Sequence, residues 1–176
     1  MNAKLSYGLI LAAGNIVLTL VGFLLGYQSD NIANGTWFSF LIYVLCVVVL
    51  WLGIKAVREE AKDKSLSYGK GVGSGVLIAL YGQTLAAIYS FFHLTFINPN
   101  FGEFMMNAMR QKWAAAHMSD AQIEQASNFM RFTLSPVWLS IVGLIYMVLF
   151  VLIVALVVSA FLRRAPQPVV EDATVA

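Results

Sequence analysis

Residues 137–162 read VWLSIVGLIYMVLFVLIVALVVSAFL, and no Asp, Glu, Lys, Arg or His interrupts them. A helix needs about 20 mainly apolar residues to cross about 30 Å of hydrocarbon, and this run is longer. A helix that is apolar on every side has no face to offer water, so the run is read as a membrane span. Working outward, three further charge-free runs stand at 5–27, 37–54 and 72–92. Each is near or above the length a crossing requires. The reading is an all-α polytopic membrane protein with four transmembrane helices, one domain over residues 1–164.

The composition agrees: 60% of the residues are apolar, 11% are charged and the mean hydropathy is +0.77. A soluble domain carries about 25% charged residues, and here the deficit sits in the runs themselves. With a net charge of +2 and no dense Lys/Arg cluster, a nucleic-acid partner is excluded. The expected partners are the lipid bilayer and other membrane proteins or a second copy of the chain. Cys46 is the one cysteine, so no intrachain disulfide, CxxC motif or thiolate zinc site can form. The first run is too long for a signal-peptide core and no small-x-small cleavage site follows Tyr27, so it is expected to be a retained anchor.

Charge between the runs sets the orientation. Lys4, Lys55, Arg58, Lys62, Lys64, Lys70, Arg163 and Arg164 flank one side, and Arg110, Lys112 and Arg131 the other, which is eight of the 11 basic residues against three. The positive-inside rule then places both termini in the cytoplasm, as an even number of spans requires. The tail, 165–176, has two prolines, two acidic residues and no periodicity, and is expected to be a disordered cytoplasmic segment.

The loop after the third run, 98–135, is long and predicts an outer helical hairpin. Asn100-Phe101-Gly102-Glu103 and Ser119-Asp120-Ala121-Gln122 both have the form of a capping box. Phe101, Phe104, Met105, Ala108, Met109 and Trp113 give the first hairpin helix an apolar face, and Ile123, Ala126, Phe129 and Met130 the second. Pro136 ends the hairpin and opens the fourth span. A short internal echo also stands out. Leu5-Ser6-Tyr7-Gly8 matches Leu66-Ser67-Tyr68-Gly69, and Trp37-Phe38-Ser39 matches Trp138-Leu139-Ser140, which reads as two parallel helical hairpins.

At about 100° per residue, small and polar residues form stripes. Gly8, Ala12, Asn15, Thr19, Gly22 and Gly26 line one face of the first span; Gly71, Gly75, Ala79, Gly82, Ala86 and Ser90 line one face of the third, with Gln83 at its edge. Ser39, Tyr43, Cys46 and Gly53 make a weaker stripe on the second. Small residues let helix backbones approach in lipid, so the stripes are expected to face one another, with Gly75 against the first span. Counting from the aligned tyrosines Tyr7 and Tyr68, Gln83 is expected to pair with Thr19. Two readings stand for Asn15, Thr19 and Gln83: hydrogen bonds between helices, or the lining of a polar path.

Several chemistries drop out. Gly69, Gly71, Gly73 and Gly75 alternate, but Ser74 stands where GxGxxG needs its third glycine, and no strand precedes them. His93 and His117 belong to no spaced ligand set, so no metal site is expected. No nucleophile with a base and an orienting group can be assembled from the spans, so no catalytic residue and no cofactor is assigned.

The Tyr7-Gly8-Leu9-Ile10 opening, Gly53-Ile54-Lys55 with its charged inner loop, and Leu66-Ser67-Tyr68-Gly69-Lys70 form a recognisable series. Together with Met118-Ser119-Asp120-Ala121-Gln122-Ile123-Glu124 and Leu162-Arg163-Arg164, they make the chain resemble a bacterial membrane family, domain of unknown function 4199. The resemblance covers about residues 4–164 and implies four spans in an inner membrane; it carries no catalytic residue or cofactor. The functional expectation is a non-enzymatic partner-binding or scaffolding protein. The alternative is a small uncoupled channel or facilitator lined by polar residues of spans one and three.

Overall fold

A computed structural model describes residues 2–165. Its four long apolar helices are α1 (Ala3–Leu24), α2 (Thr36–Glu59), α3 (Tyr68–Phe92) and α6 (Pro136–Leu162), with α4 (Phe101–Ala115) and α5 (Asp120–Thr133) inserted between α3 and α6. All four long helices have the length and composition to cross a membrane, and α3 reaches the length of 30 residues by continuing through a π-helical turn, His93–Ile97. No strand occurs among the described residues. The tail expected to be disordered lies, from 166 onward, outside the described residues.

Four of the helices, α1, α3, α5 and α6, start where a side chain takes up a free amide. Asn2 accepts from the Lys4 amide, Ser67 from Lys70, and Ser135 from Trp138 with Pro136 in the first turn. The Ser67 cap starts α3 at Tyr68, earlier than the apolar run at 72, so the glycine-rich stretch is helical. The Ser119–Gln122 capping box of α5 forms in both directions. The one expected at Asn100 does not: Asn100 has φ −87° and ψ 1° and its side chain makes no cap bond, because its backbone is already turned into the helix rather than extended.

The internal echo is only half structural. Ser67 caps α3, whereas Ser6 lies inside α1, four residues past the Asn2 cap. Ser39 and Ser140, by contrast, sit alike in the first turns of α2 and α6, each donating to the carbonyl four residues back, on Gly35 and Pro136.

α3 is the hub, packing along both α1 and α6, while α1 packs along α2. One core cluster holds Ala3, Ile54, Val57, Leu66, Ala155, Val158 and Leu162, at the end that carries most of the basic residues. A second, around Leu11, Cys46, Leu50, Ile78 and Val151, fills the middle. The basic end is also stitched by polar contacts. Leu66 and Arg164 exchange backbone hydrogen bonds of 2.9 and 3.0 Å, joining the entry of α3 to the exit of α6. The Glu60 carboxylate accepts from the Ala3 amide at 3.0 Å, covering the N-terminus of α1. Nearby, the Ser65 hydroxyl and amide hold the Asp63 carboxyl below its usual range.

The glycine contacts correct the expected pairing of stripes. A Cβ on Gly82 would stand 3.0 Å from the Gly8 carbonyl oxygen, so α1 and α3 do meet there. A Cβ on Gly75 would instead lie 2.6 Å from Ala155 Cβ, and one on Gly71 2.8 Å from Ser159 Oγ, both on α6. The stripe on α3 is a single face, but two neighbours use it in turn, α6 near the basic end and α1 further along. Gly22 belongs to neither contact; it admits the Phe38 ring of α2, 3.0 Å from where a Cβ would stand.

The expected faces of the α4–α5 pair are half-buried, Phe101, Phe104, Met105, Met109 and Trp113 on α4 and Ile123, Ala126 and Met130 on α5, with Phe129 the exception. The buried residues are Met106 on α4 and Ser127 on α5, with Arg110 Nε donating to Ser127 Oγ at 3.0 Å. Phe129, assigned to the apolar face, is 76% exposed. The pair is held partly by a polar contact that periodicity of apolar residues does not register.

Candidate functional site

At the end opposite the basic residues, helices α1, α2, α3 and α6 enclose a cleft. Its deeper part, about 210 Å³, is lined by Asn15 and Thr19 from α1, Ser39 and Tyr43 from α2, Gln83 and Ser90 from α3, and Leu139, Ser140, Gly143 and Met147 from α6, among others. Thr19, Ser39, Ser90 and Leu139 also line a shallower part of about 420 Å³, which reaches Gln28, His93, Phe101 and Met105. The two parts are therefore one cleft. None of its lining residues is Asp, Glu, Lys or Arg.

The floor is a polar layer. Asn15 Nδ2 donates to Gln83 Oε1 at 3.4 Å, and Gln83 Nε2 donates to Cys46 Sγ at 3.5 Å. Beneath it Leu11, Leu50, Ile78 and Val151 are all 0% exposed, so the cleft ends there rather than running on to the basic end. Thr19 is not the partner of Gln83; its hydroxyl donates to the Asn15 carbonyl at 2.8 Å. The tyrosine alignment fails because α3 is displaced along α1. Tyr7 and Tyr68 differ by 61 in number and Asn15 and Gln83 by 68, which shifts Gln83 about two turns down onto Asn15.

Of the seven residues singled out in the sequence, Asn15, Thr19 and Gln83 come together in the cleft, whereas Gly22, Gly71, Gly75 and Gly82 serve helix contacts outside it. Residue patterns missed a second polar group near the mouth. His93, 1% exposed, meets Gln28 Oε1 through Nε2 at 2.9 Å and the Tyr89 hydroxyl through Nδ1 at 3.2 Å. Gln28 Nε2 donates to the Thr19 carbonyl at 2.9 Å, and Asn98 Nδ2 to the Gln28 carbonyl at 3.1 Å. The π-helical turn makes this possible: the Asn98 amide reaches back to the His93 carbonyl at 2.7 Å, which adds a residue to the turn and carries Asn98 over the helix end. The available signal was the coincidence of a Gln after span one with a His after span three.

No group of three or more metal-ligating side chains occurs among the described residues. The arrangement can accept and orient a molecule by hydrogen bonds inside apolar walls.

These features define the class: a multi-pass membrane protein of four long apolar helices, enclosing an uncharged cleft open toward one end. The family described as protein of unknown function, DUF4199, matches residues 6–164, and the chain belongs to that family. No curated protein and no solved structure matches the chain.

Proposed function

We propose that this is a non-enzymatic membrane binding protein whose working part is the cleft between α1, α2, α3 and α6, where it holds an uncharged molecule. The observation that carries this reading is the combination of a polar floor, apolar walls and no charged lining residue. A cleft that ends on a packed core favours holding a molecule over conducting one. Both termini are placed in the cytoplasm of a bacterial inner membrane, a reading supported by the eight-to-three division of the 11 basic residues.

Gly143 supplies the test, because it lines the cleft and a Cβ there would meet nothing within 4 Å. Gly143→Trp adds bulk to the cleft wall at a position where a Cβ meets no neighbour. Purified wild-type protein incubated with a lipid and small-solute extract of its own membranes is expected to retain a bound mass in native mass spectrometry, and Gly143→Trp to lose it. Equal retention by both, or none by either, would refute the cleft as the site.

A second reading, docking of another membrane protein, is favoured by Phe129 and Phe132 of α5, which are 76% and 67% exposed. Crosslinked co-purification from native membranes tests it, with Phe129→Ser and Phe132→Ser expected to remove the partner band. For the facilitator alternative, solute flux in proteoliposomes that Gln83→Leu abolishes would displace both readings.

A further inference from the structure

The two helices inserted between α3 and α6 carry one pattern. Glu103, Asn107, Met109 and Arg110 of α4 recur at the same spacing as Glu124, Asn128, Met130 and Arg131 of α5. In each helix Glu and Arg stand seven residues apart, about 10 Å along the axis, beyond the spacings of three and four at which helical side chains meet. The two helices run antiparallel. A Cβ on Gly102 would lie 3.2 Å from the Leu134 carbonyl oxygen, and Arg110 Nε donates to Ser127 Oγ at 3.0 Å. In that register Arg131 falls at a height between Glu103 and Asn107, and Arg110 between Glu124 and Asn128. Two grooves result, of about 470 and 300 Å³. Glu103 and Asn107 line the first, Glu124 and Asn128 line the second, and both arginines line both. The same groups are thus met in the same order from either end of the pair.

We infer that these grooves bind the headgroup of a phospholipid with a primary ammonium, of the phosphatidylethanolamine class, its phosphate on the arginine of one helix and its ammonium on the glutamate of the other. The inference does not depend on the cleft. Among the described residues the one ion pair is Arg58 with Glu59, so no carboxylate holds either Arg110 or Arg131. Arg110 is nonetheless fixed in place, because its Nε is anchored on Ser127, itself 1% exposed, and its terminal nitrogens remain to donate. A guanidinium takes a phosphate through paired hydrogen bonds, and a carboxylate accepts from an ammonium, which has three protons to give. A simple anion would meet a glutamate in either groove, and a simple cation would meet two guanidiniums; a zwitterion is matched by both. The facing Arg and Glu differ in height by less than one helical turn, a separation that two carbons between phosphate and ammonium span. Asp120 is the one other charged residue along either groove, and it lies in the first turn of α5, where a carboxylate suits the helix N-terminus. The lipid's apolar chains have a surface as well. Phe129 and Phe132, next in the chain to Asn128 and Arg131, are 76% and 67% exposed, and Phe132 packs on Trp138 of α6 with 5.1 Å between ring centroids. The apolar surface beside the grooves therefore runs on into a membrane helix, which makes the bilayer the source of the ligand.

The test uses the full chain purified in dodecyl maltoside and titrated with dioleoyl phosphatidylethanolamine, phosphatidylcholine or phosphatidylglycerol, with bound lipid read by native mass spectrometry. The choline head has no ammonium proton to donate, and the glycerol head has no cation. The ethanolamine lipid is expected to be retained about five- to tenfold better than either. Glu103→Gln combined with Glu124→Gln is expected to abolish its advantage over the glycerol lipid, and Arg131→Gln to weaken retention of all three. These three side chains are exposed, so their replacement leaves the fold intact, and the comparison of lipids on the wild type needs no variant. Gly143→Trp is expected to keep the preference. Equal retention of the three lipids would overturn the inference, as would a preference that survives the double substitution or retention that Arg131→Gln leaves unchanged. Loss of the preference in Gly143→Trp would overturn it by moving the lipid to the cleft. Displacement of the lipid by an equal amount of free phosphoethanolamine would overturn the bilayer as the source.

Discussion

Gly8 and Gly82 face each other across the α1–α3 contact so closely that a Cβ on Gly82 would stand 3.0 Å from the Gly8 carbonyl oxygen. That approach does more than join two helices. It lies directly beside the floor of the cleft, Gly82 being the chain neighbour of Gln83, whose Oε1 accepts from Asn15 Nδ2.

The α3–α6 contact gives a reciprocal mutational test. Gly75→Leu forces bulk into Ala155, where even a Cβ would be 2.6 Å away, and overpacking of this kind costs about 1–3 kcal/mol. Gly73→Leu, with nothing within 4 Å of the position, is expected to leave thermal stability in detergent unchanged or raised. Gly75→Ala should be destabilised and the double variant Gly75→Ala with Ala155→Gly restored. Independent, additive losses for that pair would show that the two positions do not touch.

Replacing Gln28 by Leu removes the partner of His93 Nε2 and the amide donor to the Thr19 carbonyl together. Leaving buried polar groups unpaired costs about 1–3 kcal/mol each, so a clear fall in melting temperature is expected. Asn34→Ala, which breaks only an exposed bond to Asn31, should shift stability by less than about 0.5 kcal/mol. Similar melting temperatures for the two variants would remove Gln28 from the account of the cleft mouth.

The turn between α4 and α5 contains an improvable residue. His117 has φ +59°, its amide bonds the Ala114 carbonyl, and the Met118 amide bonds the Trp113 carbonyl. That is a Schellman ending with histidine where glycine is preferred. His117→Gly is expected to raise stability by about 1 kcal/mol. A denaturant or thermal midpoint that falls instead would mean the imidazole makes a compensating contact.

Topology is accessible through two exposed positions in a Cys46→Ala background. Lys62 lies between α2 and α3, and Ala116 between α4 and α5. An impermeant maleimide applied to spheroplasts should label Ala116→Cys at once and Lys62→Cys only after lysis. The reverse pattern would invert the orientation.

The sequence alone determined that four helices cross a membrane, where they lie, and that an insert of two helices separates the third from the fourth. These features are written in runs of adjacent residues: length, hydropathy and caps such as Ser119 and Ser135 act within a few residues of each other along the chain. It also placed Asn15, Thr19 and Gln83 on helix faces turned toward the bundle. Only the tertiary structure decided which helix each face meets. In lipid the alternatives differ by close packing and a few weak hydrogen bonds, not by a hydrophobic driving force that a pattern could reveal. The offset of α3 against α1, the use of Gly71 and Gly75 by α6, and the link from His93 to Gln28 each join residues far apart in the chain. The cleft exists because those contacts fix the heights of four helices at once, and height along the membrane normal is not encoded in the spacing within any one of them.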